Sequence, residues 1–378
     1  MGENNNLSFV DFYTKHDISP VQQDIFSLEK HFQRRESLYK ILGIIPVFLK
    51  GKKIIEFGPG SGHNAIYTTT LNPGQYVLVD GNKRGIDECR ENLEKTNINL
   101  SNISFVHSLF QDFTSNQKFD LVLAESCIPH QSKPIPLLNH ISSFVCSGGG
   151  LVITTISGVS YLSEILRRFV RDIYIDPNAD PRDQIDLMLP LLGPHLGTLK
   201  GMSRPVNDWL LDNIVQPLHK AKLLSIPEVI HALNDEFEFY SSSPKIVNDW
   251  RWYKDIIGKD RKLNELAINS YYKNIINFLD YRFVFPQHSR EFGEMLEERC
   301  EKAWDLMCRF ESGAINNWNS VWDLMQEIHA MIAEKAPDTA EALREAIEWL
   351  QNGAKQTTLK HFPNWWGRGS QYVSFVRK

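Results

Sequence analysis

The 378-residue sequence predicts a doubly wound α/β fold: a mostly parallel seven-stranded sheet with helices on both faces, plus a helical insertion before the last strand. Two observations carry most of this. Short apolar runs rich in β-branched and aromatic residues alternate with helically spaced stretches as far as about position 160, and that interval builds βαβ units around a parallel sheet. All nine tryptophans fall at or after Trp209, which separates a glycine-punctuated first half from an aromatic-rich second half. In such sheets the ligand lies at the carboxyl ends of the strands, so functional residues are sought in the loops that follow the apolar runs.

The first five strands are expected at Lys53–Phe57, Gln75–Asp80, Ile103–Val106, Phe119–Ala124 and Gly150–Thr155, with helices at Asn64–Leu71 and Lys83–Leu93 between them. Beyond them, Ser163–Ile175 has helical spacing, Leu187–His195 reads as broken by Pro190 and Pro194, and Ser203–Leu218 reads as a helix with a proline near its start. Glu236–Tyr240 alternates like a half-buried strand before a Ser-Ser-Ser-Pro turn, and Gln371–Val376 alternates likewise. These are the expected sixth and seventh strands.

Between those two strands, apolar stripes at three-to-four-residue steps run from Phe292 to Phe310 and from Val321 to Ile332. A third follows the start signal Asp338-x-x-Glu341, and all are expected as helix-on-helix core. The expected organisation is an N-terminal helical lid over 1–40, a cofactor domain over 41–254, a helical cap over 255–360 and a returning strand over 361–378. Trp250, Trp252, Tyr253 and the run His361–Arg368 flank the insertion, where aromatics serve either as interface packing or as the lining of an apolar pocket.

The loop after the first strand, Glu56-Phe-Gly58-Pro59-Gly60-Ser-Gly62, spaces its glycines as G-x-G-x-G. Glycines there let the chain turn from strand into helix and bring its amides close to a ligand. A dinucleotide fingerprint needs its third glycine where His63 stands, and Glu56 would repel a phosphate but suit an ammonium group. Asp80, ending the second strand, can accept both hydroxyls of a ribose.

These segments, followed by Phe119-Asp-Leu-Val-Leu-Ala-Glu125 and Gly148-Gly-Gly-Leu-Val-Ile153, resemble the class I (Rossmann-like) S-adenosylmethionine-dependent methyltransferases in order and spacing. The resemblance covers residues 40 to 160. It implies S-adenosyl-L-methionine as cofactor, with Gly58, Pro59, Gly60 and Gly62 cupping the methionine moiety, Glu56 near its amino group and Asp80, followed by Gly81, on the ribose. It sets the adenine near Ser108 and Leu109, with Asp112 three residues on. It also implies that the N-terminal segment holding Tyr13 and His16 folds over the cofactor, against the simpler reading of an amphipathic helix leading to Arg35.

Methyl transfer from a sulfonium needs alignment, plus a base where the nucleophile carries a proton. The loop after the fourth strand, Glu125-Ser-Cys-Ile-Pro-His130-Gln, supplies the catalytic candidates. Histidine is the side chain whose charge changes near working pH, so His130 suits a base for a hydroxyl or amine, or else is a solvated loop residue. Glu125 suits orientation of cofactor or substrate. Arg204, Trp250 and Arg368 are candidates for holding a substrate, with surface ion pairing as the alternative for the arginines. No Cys/His cluster has zinc spacing and no Gly-x-Ser-x-Gly elbow occurs, so neither a metal site nor covalent hydrolysis is expected.

Forty-one Lys and Arg against 46 Asp and Glu give a net charge of -5, which disfavours nucleic acid as a partner. Five scattered cysteines, without a signal-like segment or an apolar span, point to a cytoplasmic protein with reduced thiols and no membrane span. The expected activity is methyl transfer to an O or N atom of a small molecule or a glycan sugar. A protein or RNA acceptor, a dinucleotide oxidoreductase and a non-catalytic relative are the alternatives, and oligomeric state is left open.

Overall fold

The computed structural model describes Phe12 and residues 27–96, 98–174, 176, 179–202, 204–218 and 220–378. Tyr13, His16 and most of the expected lid lie outside these. The chain divides into two compact units, one of residues 1–155, 226–267 and 371–378, the other of 156–225 and 268–370.

The first unit holds the sheet. Its strands are β1 (Lys53–Phe57), β2 (Gln75–Asp80), β3 (Ile103–His107), β4 (Phe119–Ala124), β5 (Val145–Thr155), β6 (Phe237–Ser243) and β7 (Gln371–Arg377). They lie in the order β3-β2-β1-β4-β5-β7-β6. The β1–β5 pairings are parallel, and β7 is antiparallel to both of its neighbours. The seven-stranded, mostly parallel sheet expected from the sequence is therefore present. Because β2 and β4 flank β1 on opposite sides, the order reverses at β1, and the crevice at its carboxyl end is the switch point where such sheets bind ligands.

The helices of this unit are α1 (Leu28–Ile41), α2 (His63–Thr70), α3 (Lys83–Glu94) and α4 (Pro134–Ser142), with a further helix over Ile226–Leu233. Both faces of the central strands are buried, which is why these strands read as continuous apolar runs. Ile54, Leu78, Leu123 and Val152 join a core with Tyr39, Ile66 and Leu93 of α1, α2 and α3. On the opposite face Phe57 meets Phe110, Phe113 and Phe144 at ring separations of 5.9, 5.6 and 5.7 Å.

The second unit is helical, and its tryptophans are mostly core. The helix over Gly158–Tyr174 crosses that over Arg290–Glu311 so closely that a β-carbon on Gly158 would come within 2.7 Å of the Cys300 backbone. Tyr161 and Trp304 pack edge to face across the crossing, at 5.8 Å. The stripes read from the sequence after position 318 form helices at Asn319–Ile332 and Pro337–Gln351.

Three expectations are revised. Residues 156–225, assigned with the cofactor domain from the sequence, cluster with the helical unit, so the first crossing falls at 155/156. The stretch holding Pro190 and Pro194 is not broken; it lies inside one helix, Pro181–Leu196. Each proline costs a single i to i−4 hydrogen bond, and the turns on either side carry the helix through. Trp250, Trp252 and Tyr253 are exposed, not packed.

Candidate active site

The turn from β1 into α2 places Gly58, Gly60 and Gly62 at φ values of 76°, 54° and 81°, all left-handed. At Gly62 a side chain is excluded twice, by this φ and because a β-carbon would stand 2.5 Å from the Cys89 sulfur. The loop brings the Gly60 N–H to donate to Asp80 Oδ2 at 3.0 Å, while Asn82 N–H donates to Asp80 Oδ1 at 2.8 Å. Asp80 is thus fixed against the glycine loop. Burial raises its pKa and the two amides hold that rise back.

Glu56 is buried, and the Tyr76 hydroxyl donates to its Oε2. Burial, reinforced by the Glu125 carboxylate, raises its pKa to about 7, against the Tyr76 bond and Arg35, which favour the charged form. Glu125, at the end of β4, accepts from Arg35 through both oxygens, at 2.6 and 2.8 Å, and from Asn64 Nδ2 at 3.2 Å. Burial opposes charge on Arg35, yet the Glu125 carboxylate, together with Tyr39 and Tyr372, raises the arginine's pKa well above its ordinary value. Its guanidinium also lies 5.2 Å from the Tyr39 ring centre, and the Tyr39 hydroxyl bonds Thr68 Oγ1 at 2.7 Å.

The loop after β4 is conformationally unusual. Ser126 and His130 both have positive φ, 56° and 68°, which non-glycine residues adopt at a cost. Local bonds fix it: Ser126 N–H donates to Thr154 Oγ1 at 2.7 Å, Cys127 Sγ to Phe57 O at 3.3 Å, and Gln131 Nε2 to Cys127 O at 3.1 Å. His130 is half-buried at the end of this loop.

The structure thus joins Glu56, the glycine loop, Asp80 and Glu125 at the carboxyl end of β1, β2 and β4. Gly81 and Ser108 lie beside them: Ser108 N–H donates to Asp80 O at 3.0 Å, and the Gly81 carbonyl meets His107 Nε2 at 3.2 Å. Leu109 is exposed next to Ser108. The other candidates have local roles. Arg204 pairs with Asp212, Arg368 donates to the carbonyls of Asn277 and Phe283 at 2.6 and 2.8 Å, and Trp250 is open to solvent.

Arg35 was not read from the sequence as a site residue. A signal for it exists, since His31, Arg35 and Tyr39 recur every four residues and are the buried positions of α1.

Buried carboxylates under a glycine loop at a topological switch point suit a ligand with a cationic group better than a pyrophosphate, because two acids there would repel a phosphate. Residues 48–179 match the family model described as a methyltransferase domain. A protein of Invertebrate iridescent virus 6 that bears a methyltransferase name, 235L, is 22% identical over 214 residues, covering 52% of this chain and 78% of that protein. The mitochondrial ubiquinone biosynthesis O-methyltransferase of Dictyostelium discoideum is 28% identical over 128 residues, covering 31% of this chain and 40% of the enzyme. Among solved structures, the N-methyltransferase NodS of Bradyrhizobium japonicum with S-adenosyl-L-homocysteine aligns at 15% identity and a TM-score of 0.32, over 39% of this chain and 74% of that one.

Proposed function

We propose that the whole chain transfers a methyl group from S-adenosylmethionine to an O or N atom of a small molecule or a glycan sugar. The observation that carries the cofactor reading is the buried acid pair at the glycine loop, Glu56 for an ammonium group and Asp80 for ribose hydroxyls. When bound, S-adenosylmethionine supplies a methyl group already activated on a sulfonium. The chain's own part is then to hold, align and dehydrate. Gly58, Pro59, Gly60 and Gly62 line the methionine side, and Gly81, Ser108 and Leu109 the adenine side. Glu125, locked by Arg35, suits an orienting role. His130 is our candidate base.

The Glu56 pKa of about 7 makes cofactor affinity pH-dependent. A cationic amine binds the ionised carboxylate better than the acid, so affinity rises as pH climbs through about 7 and falls below it. In the free protein the same raised pKa has the opposite sign for stability. Between about 4.5 and 7 the folded state holds a proton that the unfolded chain has released, so this group lowers stability as pH rises through that window. Calorimetric titrations across this range are expected to show the affinity trend in the wild type and a flattened profile in Glu56→Gln. A wild-type profile that is already flat would remove the Glu56 contact.

For the base, transfer of radiolabelled methyl to a panel of hydroxyl and amine acceptors is the assay. His130→Ala is expected to lower turnover by roughly 10²–10⁴-fold with cofactor affinity unchanged. Full turnover in that variant would take His130 out of the chemistry.

A further inference from the structure

The outer edge of the sheet carries a surface that the cofactor site does not use. β6 is the last strand in the order, and the exposed segment that follows it is fastened to it. That segment is held at its far end by Asn264, which accepts from Phe239 N–H at 2.7 Å and donates to Phe237 O at 3.0 Å.

This segment turns large apolar side chains to solvent. Trp250, Trp252, Tyr253 and Ile257 are 88%, 59%, 72% and 67% exposed. Cations are interleaved with them. Residues 245–262 contain six Lys and Arg against three Asp, in a chain with 41 against 46. All six are exposed, and two of them, Arg251 and Lys262, have a carboxylate partner nearby. An acidic protein therefore has a locally cationic, aromatic-rich edge.

We propose that this edge docks the protein peripherally on an anionic lipid bilayer. Trp and Tyr suit the headgroup boundary, the exposed Ile257 enters the acyl region, and Lys and Arg reach the headgroup charge. Four of the six cations are Lys. Lys is depleted in protein–protein interfaces but serves well against a diffuse negative surface, which favours a bilayer over a protein partner. Nucleic acid is a poorer occupant, since bases stack on aromatic rings and gain nothing from an exposed Ile. Among the described residues no helix is long and apolar enough to cross a membrane, so the contact would be an interfacial one.

Flotation of the full chain with phosphatidylcholine vesicles, with and without about 25% phosphatidylglycerol, tests this independently of the methyltransferase reading. The bound fraction on anionic vesicles is expected to exceed that on neutral ones by about tenfold, and to fall when salt reaches about 0.5 M. A Trp252→Ala/Tyr253→Ser/Ile257→Ser variant is expected to lose about tenfold in vesicle binding while keeping the wild-type unfolding midpoint and cofactor affinity. A second variant, Lys254→Glu/Lys259→Glu/Arg261→Glu, reads the charge contribution without touching an apolar residue. Equal or absent binding of the wild type to both vesicles overturns the proposal. So does a wild-type dimer, or an RNA complex, that the first variant dissociates when vesicle binding is lacking.

Discussion

Asp80→Ala is expected to weaken S-adenosylmethionine binding by about a hundredfold or more. In the proposed complex the carboxylate accepts ribose hydroxyls while it still fastens the Gly60 and Asn82 amides, bonds of 3.0 and 2.8 Å in the free protein. A hydrogen bond to a charged group contributes about 1.5–3 kcal/mol, and two of them at the low end already amount to roughly a hundredfold in affinity. The same substitution strips both amides of their acceptor, so the free protein should also lose about 1–3 kcal/mol of stability. Asp80→Asn retains one acceptor oxygen and should fall between the two. Calorimetry for affinity and urea unfolding for stability separate these effects. Wild-type affinity in Asp80→Ala would remove the ribose contact.

Arg35→Met is expected to be the most destabilising single change in the site, by about 3–5 kcal/mol, because it leaves Glu125 buried without its counter-charge. The bidentate pair, with bonds of 2.6 and 2.8 Å, is almost inaccessible to water, and Arg35 also offsets the repulsion between Glu125 and Glu56. The double variant Arg35→Met/Glu125→Leu should recover most of the loss, since a buried ion pair and an apolar pair of similar size differ little in stability. Urea midpoints of the two single variants and the double variant give the coupling. A single-variant loss below about 1 kcal/mol would mean that the pair is not buried as described.

The parts of this fold that are legible in the sequence are those fixed by neighbouring residues. β1 to β5 show as apolar runs because both of their faces are covered, and β6 and β7 show by alternation. The G-x-G-x-G turn is readable because only glycine accepts three left-handed positions at every second residue. The Arg35–Glu125 pair is different: its members stand 90 residues apart and neither leaves a local pattern that names the other. Helical periodicity likewise shows that a helix has a buried face but not which unit buries it, so the sequence alone does not show that residues 156–225 cluster with 268–370. Trp250, Trp252 and Tyr253 misled for the opposite reason, since large aromatics are usually buried and these three are not.

The central claim is that Glu56, Asp80 and the glycine loop bind S-adenosylmethionine and not a dinucleotide. Calorimetric titration of the full chain with S-adenosylmethionine and, separately, with NAD tests it most directly. The account predicts one-to-one S-adenosylmethionine binding with a roughly micromolar Kd, lost in Asp80→Ala, and no heat from NAD. Saturable NAD binding without S-adenosylmethionine binding would contradict it.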